Sequence, residues 1–387
     1  MTHHSTKRNR AWLLAMLILT ALLTGCADDK AAAPVEQLIL DCDMGYMNDD
    51  MLALSLLLQA EKEGGFAIAG ITLEGGNVFI DAEFESEGAL QTGGWENTYA
   101  FLKAVDRLDI PVYRGTDYPI GYDGSSLWKL TEYFETAEYL PYCDGYGAIH
   151  AFENTVSGSL CDSEEAADFL IDCAKKNPGN VVILAIGPTM NIAHAIERDP
   201  SFAGNVKAIY YMGGAVGASY ETETIRGKKV NAIAGANVTP YAEYNVLYDP
   251  SAFDKCITAG FPQQFLLPAE LSVDCDSRVR DELKNRDGKM AQLWYTHYEE
   301  ALPEYPYWDP LTAFVYLRPA CAVSAGESYL TVNTHRDDER FGETTLLDAD
   351  GYNALSEQEQ ARYGKITLIR SVQSFWEEAI RLLCREN

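Results

Sequence analysis

Leu38-Ile39-Leu40-Asp41-Cys42-Asp43-Met44-Gly45-Tyr46-Met47-Asn48-Asp49-Asp50 sets an apolar strand directly against a turn that carries four carboxylates within ten residues. Packed side by side, those acids would repel one another. A hard divalent cation with oxygen ligands removes the repulsion, and calcium accepts a mixture of carboxylates, carbonyls and waters. Gly45 lets the chain turn tightly enough to bring Asp43 and Asp50 to one ion. A helix following Asp50 offers its N-terminal amides to the same carboxylates. The plain alternative is a capped, solvated turn, and the spacing is not that of an EF-hand loop.

Outward from this segment the chain alternates between short apolar runs and helix-length stretches. Strands are expected over 38–40, 67–72, 111–113, 181–185 and 208–212, and helices over 51–60, 95–105, 166–175 and 190–197. This alternation argues for the α/β class, a single Rossmann-like domain whose mostly parallel sheet is flanked by helices. In such folds ligands gather beyond the carboxyl ends of the strands. The stretch 371–383 reads as a final packed helix. No internal repeat is visible, and one domain over 38–387 with long site loops accounts for the pattern better than two.

The composition, 47% hydrophobic and 23% charged, excludes wholesale disorder, collagen and coiled coil. With 30 Lys+Arg against 58 Asp+Glu, the formal charge is −28. Such a surface repels phosphate backbones, which argues against nucleic acid as a partner and suits neutral substrates and bound cations. Residues 1–25 read as a targeting segment, with Lys7, Arg8 and Arg10 ahead of an apolar run from Ala11 to Leu23. The run ends in Leu23-Thr24-Gly25-Cys26, which resembles the lipobox of bacterial lipoproteins. That resemblance implies a lipidated Cys26, a tether over 26–37 and an extracytoplasmic, membrane-anchored protein; an ordinary secretory signal is the alternative. Eight further cysteines (Cys42, Cys143, Cys161, Cys173, Cys256, Cys275, Cys321 and Cys384) show no spacing of a structural zinc site.

The pattern DxDxGxxxDD after a strand resembles the signature of the inosine–uridine nucleoside hydrolase family in its longer-turn version. Further likenesses follow in order. Gly70-Ile71-Thr72 to Asn77 resembles the second-strand asparagine segment, and Ile186-Gly187-Pro188-Thr189-Met190-Asn191-Ile192-Ala193 the G-x-[LT]-x-N-[IL]-A segment. Tyr211-Met212-Gly213-Gly214 resembles the M-G-G strand end. Asn237 with Ala242-Glu243-Tyr244-Asn245 and Asp249-Pro250 resembles the ribose segment, and Trp308-Asp309-Pro310 the late [HW]-D-P motif. Phe375-Trp376 lies in a C-terminal helix like the family's, so the likeness runs from about Leu38 to Leu383.

The resemblance implies hydrolysis of the N-glycosidic bond of ribonucleosides to ribose and free base. Carried over, Asp43, Asp50 and Asp309 hold a calcium ion by their carboxylates, and Ile186 contributes its backbone carbonyl. Calcium lowers the pKa of a bound water, and Asp43 is placed to take its proton as general base. Asp49 and Asn245 help to hold the ribose hydroxyls, and Asn77, Asn237 and Glu243 the rest of the sugar. Fixing the ring stabilises the oxocarbenium-like charge that develops at C1′. Taken singly, each of these Asn and Glu residues reads equally as a loop cap.

Two positions depart from the pattern. Some members have a His before the last calcium-binding Asp, able to protonate the leaving base; here that residue is Trp308. Trp resembles the purine-specific branch, in which the base is sandwiched between aromatic rings, and stacking is typically worth ~1–3 kcal/mol per base. Ordinary core packing is the alternative for Trp308. Trp128, Tyr142 and Tyr146 are candidates for the second wall, and His150 for a group that reaches the pocket. Met47 stands where the long turn commonly has Asp, and the insertion 78–92 is a candidate lid or selecting loop. His194 reads as structural. The expected activity is therefore a calcium-dependent, purine-leaning ribonucleoside hydrolase, with family relatives commonly dimers or tetramers. The alternatives are a hydrolase of another N-ribosyl compound and a non-catalytic riboside-binding lipoprotein.

Overall fold

Leu38, Leu40 and Cys42 pack into one apolar core and Ile39 into another, the alternation of a strand covered on both faces. In the computed structural model this strand, β1 (Glu36–Cys42), lies inside a nine-stranded sheet. The structure describes residues 34–45, 47–76, 80, 85–86, 89–90, 93–117, 119–120, 166–216, 222–225, 228–231, 241–273, 276–300 and 307–385.

The remaining strands are β2 (Phe66–Leu73), β3 (Glu85–Ser86), β4 (Ala89–Leu90), β5 (Val112–Arg114), β6 (Val181–Ala185), β7 (Ala208–Met212), β8 (Thr222–Ile225), β9 (Lys228–Asn231), β10 (Gln264–Leu267), β11 (Ala322–Val332), β12 (Thr344–Leu347) and β13 (Gly364–Val372). The large sheet has the order β12-β11-β13-β10-β7-β6-β1-β2-β5, while β3-β4 and β8-β9 are separate hairpins. Every neighbouring pair from β13 to β5 is parallel, and β11 runs antiparallel to both β13 and β12. From β1 the chain moves out through β2 to β5, then returns to β6 on the other side of β1. The sheet order therefore reverses between β1 and β6, which opens a crevice at their carboxyl ends.

The principal helices are α1 (Asp49–Glu61), α2 (Gly94–Ala104), α3 (Ala166–Lys176), α4 (Met190–Arg198), α5 (Tyr244–Tyr248), α6 (Pro250–Thr258), α7 (Ser277–Leu283), α8 (Lys289–Glu300), α9 (Asp309–Leu317) and α10 (Phe375–Leu383). Residues of α1, α9 and α10 pack with Leu38 and Leu40 on one face; residues of α3, α4 and α6 pack with Ile39 and Ile183 on the other. Helix α1 is buried all round from Asp49 to Ala60, as befits a helix apolar on every side. Its one buried hydroxyl, Ser55, donates to the Met51 carbonyl (2.7 Å) and accepts from Trp294 Nε1 (2.9 Å).

Two expected boundaries are corrected. Helix α1 begins at Asp49 rather than 51, because the Asn48 side chain caps it by accepting from the Met51 amide (3.4 Å). Asp49 and Asp50 therefore sit in the first helical turn. The final helix begins at Phe375 rather than 371, because residues 371 and 372 still pair with β11. Among the described residues no helix is long and apolar enough to cross a membrane.

Candidate active site

At the end of β1 the four acids of the turn part company. Asp41, still in the strand, turns into the sheet: its Oδ1 accepts from Thr72 Oγ1 (2.6 Å) and Asn191 Nδ2 (3.0 Å). Burial pushes its carboxyl up to about 6, against the opposing pull of these donors. Asp43 is also buried, with 2% of its surface exposed, and rests on Gly76, where a Cβ would collide with its carboxylate. The chain then passes through Met47 in the left-handed region (φ 47°), whose amide donates to Met51 Sδ (3.1 Å). Asn48 Nδ2 donates to Asp50 Oδ2 (2.6 Å), and Gly45 leaves room for it, since a Cβ there would lie 2.7 Å from that nitrogen.

The start of α9 closes the site from the far end of the sequence. Carboxylate oxygens of Asp49, Asp50 and Asp309 all lie within 4.8 Å of one another. The Trp308 amide donates to Asp49 Oδ2 (3.2 Å), which ties the two helix starts together. Burial first, then the charges of Asp43 and Asp49, hold the Asp50 carboxyl well above the usual carboxylate range. Asp309 is raised likewise, by burial and then by the charges of Asp49, Asp50, Asp43 and Glu243. A hard cation among these oxygens would relieve both causes, so the donor set fits a divalent ion with oxygen ligands.

The Ile186 carbonyl follows the last residue of β6 and accepts from Asn245 Nδ2 (3.1 Å). The same nitrogen donates to the Met212 carbonyl (3.3 Å), so the described bonds of this amide all use its NH2 end. Glu243 caps α5: its Oε1 accepts from the Asn245 amide (2.8 Å), and its Oε2 from the amides of Gly214 (2.9 Å) and Val246 (3.1 Å). Cap and sugar contact are compatible, because each carboxylate oxygen accepts more than one hydrogen bond. Tyr244 Oη donates to the Gly76 carbonyl (2.8 Å) and so fixes the residue before Asn77. Asn77, Asn237, Trp128, Tyr142, Tyr146, His150 and Cys26 lie outside the described residues.

Trp308 is buried, and its indole Nε1 donates to the Ala269 carbonyl (2.8 Å). The ring is thereby held by its edge. His194 sits at the surface beside Glu197 (3.6 Å). His297 packs edge-on against Trp294, and burial lowers its pKa to about 4. Of the 78–92 insertion, Ile80 is anchored at both ends: its amide donates to Asp117 Oδ1 (2.7 Å), and its carbonyl accepts from the Trp95 amide (2.9 Å). Sequence reasoning missed Glu74 and the role of Asn191. Both lie within quoted motifs, and a charged residue in the apolar run before Gly75-Gly76 was the available signal.

The chain matches the family described as inosine-uridine preferring nucleoside hydrolase over residues 38–377, and it belongs to that family. A probable uridine nucleosidase from rice is 28% identical over 260 residues, a match covering 67% of this chain and 64% of the rice protein. The matched region thus spans slightly less than two thirds of that relative's length. A plant nucleoside hydrolase has the same fold, with a TM-score of 0.66 at 23% identity over 91% of this chain and 98% of that one. A purine-preferring ribonucleoside hydrolase from Gardnerella vaginalis superposes with a TM-score of 0.64 at 21% identity, covering 90% and 98% of the two chains.

Proposed function

We propose that the protein hydrolyses the N-glycosidic bond of ribonucleosides, with calcium as its metal and a preference for purines. The observation that carries this reading is the meeting of Asp49, Asp50 and Asp309 beside Asp43, at the strand-order reversal of a chain in this family. Asp43, Asp50, Asp309 and the Ile186 carbonyl would hold the ion. When bound, it would acidify a water and grip the ribose 2′- and 3′-hydroxyls.

In this mechanism Asp43 would orient a water toward C1′ and take one proton as the oxygen attacks. The C1′–N bond breaks, its electron pair leaves with the base, and a proton from solvent completes the free base. Asp49 and Asn245 orient the ribose hydroxyls, while Asn77, Asn237 and Glu243 hold the rest of the sugar. Trp308 has no proton to give as an acid; its held ring supports a stacking role against a broad purine face. A second reading, pyrimidine nucleosides, is favoured by the rice relative's name as a probable uridine nucleosidase.

We place a signal peptide at 1–25, a tether at 26–37 and the catalytic domain at 38–387, with Cys26 lipidated and the protein facing away from the cytoplasm. Replacing Cys26 with Ala is expected to release the protein from membranes. The deciding assay is ribose release from inosine, guanosine, adenosine, uridine and cytidine by the 27–387 fragment, with calcium and with chelator. Calcium-dependent release from purines supports the full reading, and faster release from uridine overturns the purine preference. Tight riboside binding without release from any substrate overturns the hydrolase.

A further inference from the structure

The residue that follows β2 is an acid that the proposed mechanism does not use. Glu74 is 2% exposed, and both its oxygens are engaged, Oε1 by the Thr189 amide (2.7 Å) and Oε2 by the Asn191 amide (3.2 Å). These amides open α4. Thr189 occupies the cap position in the left-handed region (φ 67°), and its own side chain makes no cap bond. The cap comes instead from the residue after β2, a strand separated from β6 by β1. To reach it, Glu74 crosses the end of β1, where its own amide donates to the Cys42 carbonyl (3.0 Å).

The crossing is tight. A Cβ at Gly187 would lie 2.8 Å from Glu74 Oε1 and 3.1 Å from the Asp43 backbone nitrogen. Three groups therefore touch at one point: the acid after β2, the residue after Ile186, and the backbone of Asp43. Asn191 extends the clamp, its Nδ2 donating to the Leu73 carbonyl (3.1 Å) and to Asp41, while its Oδ1 accepts from the Thr116 amide (3.3 Å). The turn 186–191 is thus held to the ends of β1, β2 and β5 by side chains from both sides.

We infer that Glu74 is a positioning residue for the metal site, holding the turn 186–191 so that the Ile186 carbonyl and Asp43 face one ion. The inference rests on the metal-dependent reading above. A helix cap alone would stabilise α4 and leave ion affinity untouched; a positioning role alters the ion's ligands at a distance. Outer-shell partners of metal ligands typically change affinity or activity ~10–100-fold.

The test uses metal-stripped full-length protein and its Glu74→Gln variant. Calcium affinity is titrated calorimetrically, thermal melting is followed without metal, and kcat and KM for inosine are measured at low and saturating calcium. The expected result is calcium binding weakened about tenfold or more, with kcat partly recovered at saturating calcium. Gly187→Ala retains Glu74 but crowds its carboxylate, and is expected to weaken calcium in the same direction, which keeps the test decisive if Glu74→Gln does not fold. Unchanged calcium affinity in both variants, with only a lowered melting temperature, overturns the inference and leaves the hydrolase reading intact. Wild-type protein that binds no calcium overturns both.

Discussion

Two groups of buried acids lie close together at the carboxyl ends of the strands, and they differ in how far donors satisfy them. Asp41 and Glu74 are met by donors: a threonine hydroxyl, an asparagine amide and two backbone amides. Asp50 accepts one bond from Asn48 (2.6 Å), yet after burial the charges of Asp43 and Asp49 push both Asp50 and Asp309 upward. The first arrangement is largely completed within the protein: both oxygens of Glu74 and one of Asp41 find donors, although Asp41 Oδ2 has none among the described residues and the charge of Asp41 also raises Glu74. The second is complementary to a cation. Burial alone therefore does not mark a functional acid; the identity of its neighbours does.

The sharpest way to break this contrast is to remove the proposed base. Asp43→Ala is expected to lower kcat by ~10²–10⁴-fold, measured as ribose release at saturating calcium, whereas a residual rate near wild type would transfer the role elsewhere. Chelation comes next. An ion present at 100 times its dissociation constant stabilises the folded state by ~2.7 kcal/mol, so removing calcium should lower the melting temperature of the wild type. Asp309→Asn should largely lose that response.

His297, whose shift has burial as its cause, supplies a control through pH. Its pKa is lowered from 6.5 to about 4 by burial, so the unfolded chain binds the extra proton first as pH falls. Stability should therefore decline as pH drops from about 6.5 toward 4. A denaturant series over that window should show a shallower decline in His297→Gln. Thr72→Val removes a donor from Asp41 and should cost ~1–3 kcal/mol of stability with calcium affinity unchanged; a large loss of affinity would make Asp41, like Glu74, a support of the metal site. The smallest effect concerns selectivity. Trp308→Ala should reduce purine-over-pyrimidine discrimination by the ~1–3 kcal/mol of one stacked base, read from kcat/KM for inosine and uridine, and unchanged ratios would remove the stacking role.

Much of this site was legible in the chain. The apolar run Leu38–Leu40 and the acids that follow place a strand and a charged turn without any tertiary information. The ordered motifs at Ile186, Glu243, Asn245 and Asp309 point to one crevice. The start of α1 was less legible, because Asn48 caps the helix through a side-chain bond that periodicity does not register. The strand pairing of Ser371 with β11 was hidden for a similar reason: a partner distant in sequence determined the conformation.

By itself, the sequence determined the α/β alternation, the central β1 segment and the supply of carboxylates, because hydrophobic period and turn chemistry act over a few residues. How far donors would satisfy each acid was decided only by the tertiary structure. Asp41 and Asp43 are two residues apart and would share a face in a continuing strand, but β1 ends at Cys42: Thr72 and Asn191 hold Asp41 in the sheet, while Asp43, beyond the strand, lies near Asp50 and Asp309. Glu74 gains its role in the same way, since the amides it caps belong to a helix more than a hundred residues further along the chain. Electrostatic environment is a property of assembled neighbours, and those neighbours come from the whole length of the fold.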